Sequence, residues 1–181
     1  MRLLRRGFSR LLLYGFKALC IPLETVSPRR YMQVYTRLLT HFGMTLKGQP
    51  RYIASKSWFD DYGLITLGDR VVVSKNVTFL THDYVVTTAL RANGMAPPTD
   101  IAIRRPISVG NNVFIGLNSV ILPGCVIEDN VVIGAGAVVR GHVPEGSIVI
   151  GNPGTVIGSL MDSPDKWVAL SQGPLASRDK S

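Results

Sequence analysis

The sequence predicts a mainly β fold: a parallel β-helix with an N-terminal helical cap and an extended loop leaving the coil. Three observations carry that prediction. Every sixth residue from Val109 to Val139 is aliphatic: Val109, Ile115, Ile121, Ile127, Ile133 and Val139. Four residues after each stands a small or β-branched one, in the series Val113, Ser119, Cys125, Val131, Ala137 and Val143. Gly110, Gly116 and Gly134 take the second place of their hexads. Amphipathic helices and half-buried hairpin strands repeat at roughly 3.6 and 2 residues, so neither produces this period. A short strand that turns every six residues does. One aliphatic side chain per turn points inward, the corner behind it has room only for a small residue, and three such strands make one triangular coil.

Residues 1–50 read as two helices. In 2–19, Leu4, Phe8, Leu11, Leu12, Phe16 and Leu19 line one face, while Arg2, Arg5, Arg6, Arg10 and Lys17 spread over the other. This is the pattern of a basic amphipathic helix that lies on a membrane, or packs on the solenoid or a neighbouring subunit. Its longest uncharged stretch, Leu11–Phe16, is too short for a bilayer, which takes about 20 apolar residues. No small-x-small cleavage site cleanly follows the Leu-rich run, which argues against a signal peptide. Ser27-Pro28 then predicts an N-cap and a first-turn proline. The helix they open carries Met32, Tyr35, Leu38, Leu39 and Phe42 inward and ends at Gly43. It is expected to cap the solenoid, whose first coil would otherwise expose unpaired backbone groups.

The solenoid is expected over 51–160. Its register runs through Leu67, Val73 and Phe79 with partners Val71 and Val77, and more faintly through Ile53 with Ser57. It slips by two residues between Phe59 and Leu67. Between Phe79 and Val109 the phase is kept, but Arg91-Ala92-Asn93-Gly94 and Ala96-Pro97-Pro98-Thr99 cannot continue the repeat. A loop at about 83–106 therefore leaves the coil, and loops of this length without structure of their own are usually functional. Residues 161–181 read as a short helix, Pro164–Ser171 with Trp167, and a disordered tail from Gly173.

The net charge of +8 is unevenly placed. Residues 1–51 hold ten Lys or Arg against the single acid Glu24, whereas 52–181 hold ten against eleven acids. Such asymmetry points to an anionic surface. Nucleic acid is disfavoured, because no reading module is visible and the bases are interleaved with Leu, Phe and Tyr at helical spacing. The two cysteines, Cys20 and Cys125, make no disulfide framework and fit a reducing cytosol.

The runs LGDRVVVSKNVTF and VGNNVFIGLNSVILPGCVIEDNVVIGAGAVV, with the closing segment GSIVIGNPGTVI, resemble the hexapeptide-repeat acyltransferases. The resemblance implies a left-handed winding, which runs against the general preference for right-handed crossovers. It also implies acetyl-coenzyme A as co-substrate, a homotrimer with a site in each groove between subunits, and a histidine just before the long loop that activates the acceptor hydroxyl. Here that residue is His82, in Phe79-Leu80-Thr81-His82-Asp83-Tyr84. A neutral imidazole can take a proton from an alcohol when a second group fixes its tautomer. Asp60 and Asp61 precede His82 by a little more than one coil and are candidates for that group or for binding a substrate hydroxyl; Asp83 is a third. A polar turn is the alternative reading of the Asp pair.

For the pantetheine arm the resemblance implies the small residues of late coils, matching Gly116, Ala135 and Gly136, with Phe114 lining the groove. Glycine and alanine are equally demanded by the corners themselves. The chain departs from the family pattern at Arg140-Gly141, where Thr-Lys is common, and in lacking arginines near Val156 and Ile157; phosphate contact then falls to Arg140. With only His41, His82 and His142 in the chain, a three-histidine zinc site is not expected, and no metal is required.

The function these features imply is O-acetyl transfer to a sugar, glycan or glycolipid, as in polysaccharide biosynthesis, at the cytoplasmic side and in peripheral contact with the membrane. The likeness is to the galactoside and maltose acetyltransferase branch. Two rival readings are N-acylation of a nucleotide-linked amino sugar, and a non-catalytic β-helix scaffold.

Overall fold

The computed structural model describes residues 15–174 and 176–177. Short strands follow one another in threes. The first coil holds β1 (Thr45–Leu46), β2 (Tyr52–Ile53) and β3 (Trp58–Phe59), and the second β4 (Ile65–Leu67), β5 (Val72–Val73) and β6 (Thr78–Phe79). After an excursion carrying β7 (His82–Asp83) and β8 (Ile103–Arg104), the third coil holds β9 (Ile107–Val109), β10 (Phe114–Ile115) and β11 (Val120–Ile121). The fourth has β12 (Val126–Ile127), β13 (Val132–Ile133) and β14 (Val138–Val139). The chain then runs through β15 (His142–Val143) and β16 (Ser147–Ile150) to β17 (Thr155–Ser159), which folds back antiparallel on β16.

Equivalent strands stack in parallel into three faces. The first is β1-β4-β9-β12-β15, the second β2-β5-β10-β13-β16 edged by β17, and the third β3-β6-β11-β14. The first coil thus opens at Thr45, ahead of the expected start at 51. Every residue of the Val109 to Val139 series and every small companion is at most 3% exposed. Each such aliphatic chain contributes about 2 kcal/mol by leaving water. Burial also pushes the Cys125 thiol up to about 12, so this corner residue packs as a small hydrophobe.

The corners follow from backbone sterics. Asn76, Asn112, Asn118 and Asn130 hold φ of 58°, 53°, 59° and 59°, a region asparagine tolerates. Asn112 donates to Asn130 at 2.8 Å and Asn76 to Asn118 at 3.2 Å, one coil above another. At Gly116 the coils approach so closely that a Cβ would lie 2.5 Å from the Ala135 nitrogen. The two-residue slip after Phe59 is taken up by a 3-10 turn, Tyr62–Leu64.

Two expectations need correction. The segment expected as a loop without structure contains helix α3 (Val85–Ala92 in chain order) and the β7–β8 pair, because Thr87 and Ile101 hydrogen-bond across its stem at 2.7 Å. Ahead of it lie α1 (residues 15–26) and α2 (Pro28–His41), and α1 packs on the solenoid by its polar side, with Phe16 and Leu19 of the expected apolar stripe facing outward. Lys17, on the face opposite that stripe, turns inward: its Nζ donates to the Ser57 carbonyl at 2.8 Å and sits 5.9 Å from the ring centroids of Tyr35 and Phe59. Residues 2–14 of the predicted 2–19 stripe lie outside the described residues, as does most of the C-terminal tail.

Helix α2 caps the coil as expected, burying Met32, Tyr35 and Leu39, and adds Tyr31, whose hydroxyl donates to the Ile53 carbonyl at 2.6 Å. Ser27 stands at its N-cap without a side-chain hydrogen bond; its backbone N–H instead closes the last turn of α1 on Leu23 at 2.9 Å. The C-terminal helix α4 (Pro164–Gln172) is tethered by Trp167, whose indole N–H donates to the Leu160 carbonyl at 3.0 Å.

Burial lowers the Lys17 pKa from 10.5 to about 8. An ammonium disfavoured in the folded state costs stability at every pH below about 8, and the cost fades as pH rises to 10.5, where the unfolded chain also loses its proton. Allowing for the lost hydrogen bond, Lys17→Met is expected to raise unfolding free energy by about 2 kcal/mol at neutral pH. In urea titrations the advantage over the parent should shrink steadily above pH 8. Gly116→Ala, forced against the next coil, is expected to lower the same free energy by about 1–3 kcal/mol, whereas Gly136→Ala meets no atom within 4 Å and bears only its φ of 72°, about 1 kcal/mol.

Candidate active site

The chain departs from the solenoid at the edge between the third and first faces. There β7 turns outward and pairs antiparallel with β8, setting His82 opposite Arg104, and the Arg105 N–H closes the stem on the Thr81 carbonyl at 2.8 Å. One coil below, β3 lies in register under β6, with Phe59 beneath Phe79 and their rings stacked at 5.0 Å. The next residue, Asp60, is fixed by its own N–H to the Phe79 carbonyl at 3.1 Å, so its carboxylate rises to the point where the loop begins.

That carboxylate meets His82. Asp60 Oδ2 stands against the buried Nδ1 of the imidazole and also accepts from the Thr81 hydroxyl at 3.2 Å and, more weakly, from the Thr81 N–H at 3.4 Å. Asp60 is 15% exposed at its side chain and His82 30%, so the pair is sheltered yet reachable. A carboxylate at Nδ1 favours the tautomer with its proton there, which leaves Nε2 with a free lone pair. The Tyr84 ring meets the imidazole edge-on at 5.8 Å and limits its tilt.

The neighbouring carboxylate goes elsewhere. Asp61 Oδ2 pairs with Arg104 Nη1 at 3.1 Å on the open side of the stem, and Asp83 faces Arg105 at 3.9 Å. Of the three acids considered from sequence, Asp60 alone reaches the imidazole. Thr81 and Arg104 were missed: Thr81 is wholly buried, and Arg104 gains its place only through the β7–β8 pairing.

The expected donor residues form a second group. Phe114, 44% exposed on β10, leads to the corner between the second and third faces, where Gly116 and then Ala135-Gly136 stand in successive coils. The Gly136 N–H donates to the Leu117 carbonyl at 2.8 Å. A whole face of the prism separates this edge from His82 within one chain. Arg140, after β14, lies on the same edge as His82 two coils on. Of the other histidines, His41 ends α2, and His142 bridges to Glu128 at 2.8 Å on the exposed first face. Among the described residues no three His, Cys, Asp or Glu side chains gather to hold a metal ion.

The outward side chains of the second face are Tyr52, Val72, Phe114, Val132 and Ile148, an apolar column.

The bacterial transferase hexapeptide family (six repeats) matches residues 106–141. Galactoside O-acetyltransferase of Escherichia coli (strain K12) is 41% identical over 103 residues, 57% of this chain and 47% of that protein. The chain spans about half the length of the curated relatives it matches first. Among solved structures, a galactoside acetyltransferase in complex with coenzyme A superposes with a TM-score of 0.64 at 27% identity, covering 89% of this chain and 82% of the other. A maltose O-acetyltransferase from Clostridium difficile 630 gives 0.55 at 26%, covering 82% and 88%. The chain thus carries the hexapeptide repeat of the bacterial transferases, wound as the left-handed parallel β-helix of the galactoside and maltose acetyltransferases it resembles.

Proposed function

We propose that the chain transfers an acetyl group from acetyl-coenzyme A to a hydroxyl of a sugar, glycan or glycolipid, with His82 as general base. The observation that carries this reading is the Asp60–His82 pair at the mouth of the excursion, with Nε2 turned away from the carboxylate. Nε2 takes the proton of the acceptor hydroxyl as its oxygen attacks the thioester carbonyl. The C–S bond then breaks, and the leaving thiolate recovers the proton from the imidazolium. The ester and free coenzyme A are the products, and no acyl-enzyme forms. Asp60 holds the tautomer and stabilises the transient charge on the ring. To Asp61, half-exposed and tied to Arg104, we assign binding of an acceptor hydroxyl.

The donor reading rests on Phe114, Gly116, Ala135, Gly136 and Arg140, supported by a galactoside acetyltransferase neighbour solved with coenzyme A. Because His82 and the Gly116 corner sit on different edges of one prism, we infer a homotrimer in which His82 of one subunit faces the donor groove of the next. The apolar outward column of the second face supports that assembly. We also infer a cytoplasmic enzyme in peripheral contact with the membrane through its basic N-terminal segment. Among the described residues no helix is long and apolar enough to cross a bilayer.

Coenzyme A release, followed with a panel of sugars, glycolipids and amino sugars, tests the proposal. His82→Ala is expected to lower turnover by about 10²–10⁴-fold. Asp60→Asn should lose on the order of 10²-fold or more in kcat with little change in KM. Asp61→Asn should act mainly through the acceptor KM. Parent-like turnover in His82→Ala, or acetylation of amines alone, would overturn the reading.

A further inference from the structure

Helix α1 is built inside out. Its two charged residues, Lys17 and Glu24, both point into the protein together with buried Cys20. Glu24 accepts from the Tyr52 hydroxyl and from the hydroxyl and N–H of Ser55. Burial opposes that carboxylate, but the hydrogen bonds from Ser55 and Tyr52 outweigh it and hold the group below its ordinary pKa, ionised and withdrawn from the surface. The outer side of α1 is left to Phe16, Ala18, Leu19, Ile21, Pro22 and Val26, with the uncharged Thr25 among them. Leu19 is 74% exposed and Val26 83%, with no charged residue between them on that side. A water-facing helix is arranged the other way round.

We propose that this outer face inserts into the interfacial layer of an anionic bilayer. The inference deepens the peripheral-contact reading above, on which it rests, by extending the inserted face from Phe16 and Leu19, the end of the stripe expected over 2–19, along the outer side of 15–26 to Val26. Charge selects the occupant. The chain ahead of α1 carries Arg2, Arg5, Arg6 and Arg10 and no acid, and Glu24, the single acid of residues 1–51, is turned inward. Arg29 and Arg37 of α2, with Arg51 and Arg70 of the first two coils against the single carboxylate of Asp69, line a groove of about 950 Å³. Anionic headgroups satisfy such a surface. A second copy would press the same positive excess against itself.

The full-length chain is to be co-sedimented with vesicles of phosphatidylcholine alone and of phosphatidylcholine with phosphatidylglycerol. The parent is expected to bind the anionic vesicles selectively. The doubly substituted Leu19→Glu/Val26→Glu variant should bind on the order of tenfold more weakly or worse, with unchanged assembly mass and unchanged coenzyme A release on a soluble sugar. Parent-like vesicle binding by this variant overturns the inference. If removing the charges in Arg2→Gln, Arg5→Gln, Arg6→Gln and Arg10→Gln then abolishes binding, the peripheral contact stands and only the inserted face is wrong. Absence of binding by the parent overturns both. A fall in the variant's assembly mass also overturns the inference, by assigning the face to a second copy.

Discussion

Each coil closes only where an aliphatic side chain points inward and a small one stands behind it at the corner, and that steric constraint fixes how coil sits on coil. Because Phe59 must lie under Phe79, and Phe79 under Ile121, the strands cannot slide by a residue without turning the interior column outward. The same register delivers Asp60 beneath the point where the chain leaves the solenoid. The geometry around His82 is therefore set by core packing, which places Asp60, together with the excursion, whose β7–β8 pair and Tyr84 hold the imidazole.

The solenoid was legible because its period differs from those of helices and hairpins. One inward residue per strand makes the spacing count, and its expected residues from Leu67 to Val143 are buried. The capping helix was legible for a similar reason, in Ser27-Pro28 and the apolar residues that follow. What escaped was whatever depends on contacts between distant segments. The Asp60-Asp61 pair was visible as a candidate, yet the division of labour between them was not. It depends on Arg104, which comes opposite His82 only when the excursion pairs its two ends. The helix inside that excursion was hidden by a Gly/Pro-rich second half that resembles irregular chain.

The N-terminal helix shows a different limit. Helical spacing separated apolar from basic residues but could not tell which side meets the protein. Lys17 and Glu24 find carbonyl, hydroxyl and aromatic partners on the first coil, so the polar stripe turns inward and the apolar one outward. The chain thereby displays two kinds of apolar surface: a column on the second face and the outer side of α1. In the proposed function the first would complete the site between subunits and the second would hold it at a membrane surface.

The central claim is that Asp60 holds the His82 proton on Nδ1 and leaves Nε2 as the base. Long-range ¹H–¹⁵N correlation spectra of the histidine ring, recorded where the imidazole is neutral, read the tautomer directly. The account requires an Nδ1–H signal with an unprotonated Nε2. A ring protonated at Nε2 with its lone pair on Nδ1 would contradict it.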